Sequence, residues 1–362
     1  MKKRILFIAS SPLYLEKGSS LRMYEIAKNL STKYNLDIAT YSLGRNFSIK
    51  NAHIYRTPKW FKPELKVGKP SFSKIILDFF ILIKSLRLIY SNNYEIIHCE
   101  DFEGAFIGYI LSFFTNSKLV YDLHNRITDN LDISLKKNKF KKVYIFIEKL
   151  VLKKFDLVIL NWAKYKNDSI FKNKKTFVYY DKIDTKIEKY PLHCKNYIIY
   201  TGNFEKYQGI KEFLNVFKDI KTDIKLVLVG EPSQEIINYI KENNLQDKVI
   251  LTRRLSISKT NFLIKNSLFG ILPRLEGSSM KLVHYIIWDK PVLAKHTPSN
   301  QELLINKYNS YLYSNDSELK EILKNILQKN RKINCLRMGV IETKNKILKI
   351  WSYENFIRKY ER

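Results

Sequence analysis

The segment RLEGSSMKLVHYIIWDKPVLA, from Arg274 to Ala294, sets a cation, a carboxylate, a turn of small residues and a helix in an order suited to holding an anion. Arg274 and Glu276 close an apolar run, LFGILPRL. Gly277, Ser278 and Ser279 free the backbone to turn. A helix opening at about Met280 then presents N–H groups that have no intrahelical partner, the place where a phosphate is held. Lys281 adds a positive charge on the first helical turn.

Ligands of open α/β sheets bind beyond the carboxyl ends of the strands, so the other strand-end residues belong to the same search. Gly18 and Ser19 precede a helix in a second small-residue turn. His124 ends KLVYDLH, where a histidine either meets a ligand or is satisfied in a buried loop. His98 lies near the end of EIIHCED, and Glu100, Asp101 and Glu103 beside it are candidates to face an acceptor. In the second half, Gly202, Asn203 and Gln208 follow YIIYT, Gly230 and Glu231 follow LVLV, and Arg253 with Arg254 ends KVILTRR. Neither G-x-G-x-x-G nor the P-loop pattern is present, which argues against nicotinamide, flavin and P-loop nucleotide chemistry.

Strands and helices alternate from the first residues, the pattern of parallel sheets with crossover helices, and every strand of the first half reads as buried on both faces. The alternation breaks at DKIDTKIEKYPLHCKN, which places a linker between about Asp181 and Asn196. A chain of 362 residues suits two Rossmann-sized cores. The expected division is residues 1–185, residues 195–335 and a terminal helix over 338–362. The aromatic residues Trp351, Tyr353, Phe356 and Tyr360 in that helix can dock on either domain.

Cys99, Cys194 and Cys335 are odd in number and widely spaced, so neither a disulfide frame nor a zinc site is indicated, and a reducing cytoplasmic setting is expected. The apolar run in MKKRILFIAS lacks a small-x-small cleavage site and reads as a first strand rather than a signal peptide. The net charge of +29 points to an anionic partner. No zinc-finger spacing, RNP-type strand or basic heptad helix accompanies it, so nucleic acid is not expected. KPSFSKIILDFFILIKSLRLIY and SLKKNKFKKVYIFIEKLVLKKF combine apolar faces with lysines, including Lys136, Lys137, Lys141 and Lys142. They read either as amphipathic helices with solvated lysine faces or as a surface resting on an anionic membrane.

The segment from Arg274 onward resembles the donor-binding segment of GT-B glycosyltransferases of the family-4 type, where a glutamate, a small-residue turn and a helix reading roughly K-L-x-E-Y hold a nucleotide-sugar diphosphate. YTGNFEKYQGIKEFL is similar to the family's G-R-x-x-x-x-K-G stretch, and the resemblance covers nearly the whole chain. It implies an α/β GT-B fold: two Rossmann-like domains facing a cleft, with a C-terminal helix crossing back to the first. It also implies a retaining transferase that moves a sugar from a nucleotide sugar to a glycan or polyprenyl-linked saccharide, in bacterial surface polysaccharide synthesis. By the resemblance, Glu276 contacts the sugar, Gly277, Ser278, Ser279 and Met280 the diphosphate, Lys281 the leaving-group charge, and His124 the sugar from the other domain. Gly18, Ser19, Gly202, Gly230, Arg254 and Arg274 line the donor site, and the base lies near Arg253 and Arg254.

Three positions depart from the family pattern. His284 stands where the ribose-binding glutamate is usual, and Asn203 and Gln208 stand where an arginine and a lysine neutralise the diphosphate. Lys281 and Arg274 are the expected substitutes. The Asp-x-Asp of metal-dependent GT-A enzymes is absent, so neither a metal nor a cofactor is expected, and protein cations with helix N-termini would stabilise the leaving group. Two alternatives stay open: a catalytically silent GT-B subunit that binds a partner or a membrane, and a nucleotide-sugar 2-epimerase. The expected location is cytoplasmic, with a peripheral place on the inner face of the plasma membrane.

Overall fold

The computed structural model describes residues 2–12, 18–44, 46–61, 63, 72–124, 126, 138–275, 280–328 and 334–361. The chain forms two compact units, Met1–Lys182 with Ile350–Arg362, and Ile183–Lys349.

In the first unit the order is β1 (Arg4–Ala9), α1 (Gly18–Ser31), β2 (Asn35–Thr40), β3 (Ala52–Arg56), α2 (Phe72–Ser91), β4 (Ile96–Glu100), α3 (Asp101–Leu111), β5 (Lys118–Leu123), α4 (Asn138–Leu152), β6 (Leu157–Leu160) and β7 (Lys175–Val178). All pairings are parallel, in the order β3-β2-β1-β4-β5-β6-β7. The strand order reverses beside β1, so β1 and β4 diverge into their following helices at the point where such sheets hold ligands. Ala9 pairs with Glu100 and Glu100 with Asp122, which sets Glu100, Asp101 and His124 side by side at the carboxyl edge.

The second unit runs β8 (Tyr197–Thr201), α5 (Ile210–Phe217), β9 (Lys225–Val229), α6 (Gln234–Glu242), β10 (Val249–Arg253), α7 (Ile257–Asn266), β11 (Gly270–Leu272), α8 (Met280–Ile287), β12 (Val292–Lys295), β13 (Ser310–Tyr313) and α9 (Asp316–Gln328). Its parallel sheet has the order β10-β9-β8-β11-β12-β13, with the reversal beside β8. The turns after β8 and β11 are therefore neighbours, although their strand ends at Thr201 and Leu272 lie far apart in the sequence. Ser233 and Ser256 cap α6 and α7 by accepting from the N–H groups of Ile236 and Lys259.

Burial on both faces does not extend to every strand. β3, β7 and β10 are partly exposed because each is at an edge of its sheet, with only one neighbouring strand. The terminal segment also differs from the single helix expected over 338–362. It forms α10 (Arg337–Trp351) and α11 (Tyr353–Glu361), and only residues from Ile350 onward group with the first unit. There Trp351 Nε1 donates to the Tyr180 carbonyl at 2.9 Å, and Phe356 packs on Tyr179 and Phe177. Tyr353 stays partly exposed. Among the described residues no helix is long and apolar enough to cross a membrane.

Candidate functional site

Lys281, on the first turn of α8, gathers the second unit's polar groups. Its Nζ donates to Tyr200 Oη and to Gln208 Oε1, each at 2.7 Å, and lies 4.2 Å from the centre of the Tyr200 ring. Tyr200 donates in turn to the Asn203 carbonyl, and Asn203 Nδ2 donates to Tyr207 Oη at 3.1 Å. The Arg274 guanidinium sits 4.9 Å from the centre of the Tyr207 ring. The Leu275 N–H donates to the Tyr207 carbonyl at 3.0 Å, tying the turn after β11 to the turn after β8.

Two glycines make this approach possible. Gly202 has φ +135°, and a Cβ there would fall 2.3 Å from Lys281 Cε. Gly209 has φ +67°, and its Cβ would fall 2.3 Å from the Pro273 carbonyl oxygen.

Burial, with the Arg274 charge nearby, holds Lys281 well below the usual lysine range, and burial also lowers Arg274. An anion placed between these two cations would offset the cost of holding both charges there. Gln208, where the resemblance expects a lysine, offers Lys281 an amide oxygen instead of a second charge.

His284, one turn further along α8, carries no charge at neutral pH because burial pushes it down to about 4. Its Nε2 lies 2.5 Å from Asn261 Oδ1. Asn261 Nδ2 donates to the carbonyls of Asp184 and Lys186, both at 2.7 Å, and its Oδ1 also accepts from Trp288 Nε1 at 3.2 Å. Oδ1 can only accept, so His284 carries its proton on Nε2 and Nδ1 is left as an acceptor. A neutral acceptor thus stands where the resemblance expects a carboxylate.

Gly230, at φ +141°, packs against the Gly202 carbonyl. Arg253 and Arg254 are exposed at the end of edge strand β10, two strands away from β8, and the structure does not bring Arg254 into the Lys281 constellation. Glu276, Gly277, Ser278 and Ser279 lie outside the described residues, while Met280 opens α8. Gly18 and Ser19 open α1.

In the first unit His124 is buried in a network of charged groups. Its Nε2 is 2.7 Å from Glu100 Oε2 and 3.7 Å from Asp122 Oδ2, and its Nδ1 is 3.5 Å from Asp101 Oδ2. His98 Nε2 meets the other Glu100 oxygen at 3.0 Å, and Tyr360 Oη meets His98 Nδ1 at 3.0 Å. Arg22, fully buried on α1, holds Asp122 through Nη2 at 2.6 Å and reaches Asp181 at 3.2 Å. Burial opposes the charge on His124, but Asp101, Asp122 and Glu100 raise it well above the usual histidine range. Burial opposes the charge on Asp122 as well, and Arg22 and His124 win, holding it below the usual carboxylate range.

His98, Glu100 and Asp122 offer atoms within 4.8 Å of one another, a spacing that could suit a metal ion. Those groups are engaged with Tyr360, His124 and Arg22, and the guanidinium adds a positive charge at the spot. Sequence reasoning missed Arg22, Asp122, Tyr200, Asn261 and the role of Tyr360. Arg22 did leave a signal, since it shares the buried stripe Arg22, Ile26, Leu30 of α1.

Residues 182–340 match the family described as Glycosyl transferases group 1. An uncharacterised glycosyltransferase of Methanocaldococcus jannaschii is 24% identical over 343 residues, covering 94% of this chain and 92% of that protein. The N-acetylgalactosamine-N,N'-diacetylbacillosaminyl-diphospho-undecaprenol 4-alpha-N-acetylgalactosaminyltransferase of Campylobacter jejuni is 29% identical over 161 residues, 41% of this chain and 43% of that enzyme. Among solved structures, Anabaena HepE in complex with UDP and glucose superposes with a TM-score of 0.72 at 14% identity, covering 99% of each chain.

Proposed function

Because this chain is a glycosyltransferase of group 1 with the GT-B architecture, we propose that it moves a hexose or related sugar from a nucleoside diphosphate sugar to a hydroxyl of a polyprenyl-linked glycan, with retention of configuration, during bacterial surface polysaccharide synthesis. The observation that carries this reading is the meeting of Lys281, Arg274, Tyr200 and Gln208 at the carboxyl edge of the second sheet. The diphosphate lies against the N-terminus of α8 with Lys281 and Arg274 on its oxygens, so the leaving group gains its charge beside fixed cations and needs no metal. His284 accepts from a ribose hydroxyl through Nδ1, Glu276 contacts the sugar, and His124 donates to a sugar hydroxyl. The Campylobacter relative's name, with its diphospho-undecaprenol acceptor, supports a lipid-linked acceptor, and the UDP-bound neighbour supports a uridine donor.

The reading is tested by thermal unfolding with UDP, GDP, CMP and dTDP. A nucleotide present at about 100 times its dissociation constant adds about 2.7 kcal/mol to the folded state. UDP is expected to stabilise most. Failure of all four to raise the midpoint would remove the nucleotide-sugar reading.

A cytoplasmic enzyme acting on a polyprenyl-linked acceptor works at the membrane surface, and the first unit has a face suited to it. Helices α2, α3 and α4 pack side by side; they expose Phe72, Phe79, Phe106 and Phe146, and the turn after α3 exposes Phe113 and Phe114. Lys142, Lys149 and Lys153 are exposed on or just beyond α4, while Lys136 and Lys137 lie outside the described residues. Aromatic side chains enter the headgroup region and lysines meet anionic lipid. Binding to phosphatidylglycerol vesicles is expected to fall steeply between 0.1 M and 1 M salt, as the screening length drops from about 10 Å to about 3 Å. Equal binding to phosphatidylcholine vesicles would contradict an electrostatic contribution.

A further inference from the structure

Behind His124 the first unit carries more buried polar structure than its fold requires. Tyr360, His98, Glu100, Asp122 and Arg22 are all essentially inaccessible, and they form a continuous chain from the last helix to the carboxyl edge of β4 and β5. Burying such groups is costly unless each is satisfied. Burial keeps the Tyr360 phenol protonated, so its hydroxyl can donate to His98 Nδ1 in the tautomer that leaves Nε2–H for the acceptor-only Glu100 carboxylate. His98 then carries its proton on Nε2 and donates to Glu100 Oε1. The second Glu100 oxygen accepts from His124 Nε2. Phe7 stacks on the His98 ring at 4.5 Å and holds its plane.

The one side of His124 left over is Nδ1. It is buried and has no hydrogen-bond partner. Asp101 Oδ2 is 3.5 Å away, too far for a good bond, and that carboxylate is partly open to solvent. Asp101 takes φ +56° as the first residue of α3, a left-handed conformation that non-glycine residues adopt where the surroundings enforce it.

We propose that Tyr360, His98 and Glu100 are positioning residues that fix the His124 imidazole through Nε2, leaving its Nδ1–H beside the Asp101 carboxylate as a paired donor and acceptor for one sugar hydroxyl. A hydroxyl both accepts and donates, so it satisfies both atoms at once. A phosphate cannot, because Asp101 repels it. The inference rests on the transferase reading for what the hydroxyl belongs to, but not for the state of His124. The groups facing that imidazole are Glu100 from β4, Asp101 from α3 and Asp122 from β5, with Arg22 from α1 and Asp181 beyond them. The terminal helix thereby belongs to the sugar site, and its loss disarms His124 without any direct contact between Tyr360 and ligand.

The test is ¹⁵N imidazole NMR of the whole chain, with steady-state kinetics alongside. In the wild type His124 is expected to hold both ring protons well above the usual histidine range. Glu100→Gln should move its titration down by more than one pH unit. Tyr360→Phe keeps the ring packing and removes only the hydroxyl, so it should lower the His124 titration in the same direction and reduce kcat at least tenfold above neutral pH. Asp101→Asn should raise KM several-fold. A His124 titration identical in wild type and both Tyr360→Phe and Glu100→Gln would overturn the proposal, as would unchanged kcat in Tyr360→Phe. Absence of turnover in the wild type with the His124 shifts intact would instead count against the transferase reading and leave the positioning chain standing.

Discussion

Lys281→Met is expected to lower sugar transfer about 10²–10³-fold, the loss that follows removal of one preorganised group from a developing negative charge. The fold should persist. Lys281 is a largely buried cation held below its usual range, and a methionine of similar length relieves that burial rather than adding to it. The two groups it leaves, Tyr200 and Gln208, keep part of their bonding, since Tyr200 still donates to the Asn203 carbonyl. Comparing kcat with the thermal midpoint separates the effects: a drop in both in proportion would make Lys281 structural. The same residue gives binding a pH dependence. An arriving diphosphate raises the Lys281 pKa from its depressed value, so binding takes up a proton. Nucleotide affinity should therefore rise as pH falls toward neutrality and weaken as pH rises, and isothermal titration in buffers of different ionisation enthalpy measures that proton.

Arg22→Met is expected to destabilise the first unit by about 3–5 kcal/mol, the effect of leaving a buried charge without its partner. Both Arg22 and Asp122 are buried, and Asp122 has no other guanidinium among the described residues within bonding distance. Urea unfolding measures the loss, and Arg22→Met with Asp122→Leu should recover much of it, because an apolar pair restores packing without the charge. Equal destabilisation in the single and double variants would show that the ion pair itself is not the cause.

The pH profile of stability follows from the same groups. Asp122 is held below its unfolded value, so its contribution is present above about pH 4 and lost as pH falls. His124 is raised above its unfolded value, so its contribution is complete below about pH 6.5 and lost as pH rises through the folded value. Asp101, pushed up to about 6 by partial burial with Glu103 and Glu100 nearby, acts in the same sense as His124 because its charge is disfavoured in the fold. The first unit is expected to be most stable in mildly acidic solution.

The alternation of apolar runs made both sheets legible in the sequence, because parallel strands buried on two faces leave continuous runs such as KRILFIA and YIIYT. The edges were not, since β3 and β10 differ from central strands only in having one neighbour, a property of topology. Lys281 was found from its position at a helix start. Its contact with Gln208 was not, because two turns separated by 73 residues are brought together only by the β8–β11 pairing. The Tyr360–His98–Glu100 chain was likewise hidden, with Tyr360 and His98 262 residues apart along the chain. Arg22 was the most readable of the missed residues, as a charge on an apolar helical stripe needs a buried counter-charge, and Asp122 inside KLVYDL was the candidate to supply it.

The central claim is that Lys281 replaces, at the same point in space, the cation that Gln208 does not provide. Lys281 Nζ is 2.7 Å from Gln208 Oε1, so a lysine at 208 would put its ammonium where the Lys281 ammonium now sits. The direct measurement is the rate of nucleoside diphosphate release from a nucleotide sugar with acceptor, in wild type, Lys281→Met, Gln208→Lys with Asn203→Arg, and all three changes together. The account predicts that the combined variant recovers at least tenfold over Lys281→Met, whereas Gln208→Lys with Asn203→Arg alone loses activity because the two ammonium groups then compete for one place. Independent, additive losses in the combined variant, or full activity in Lys281→Met, would contradict it.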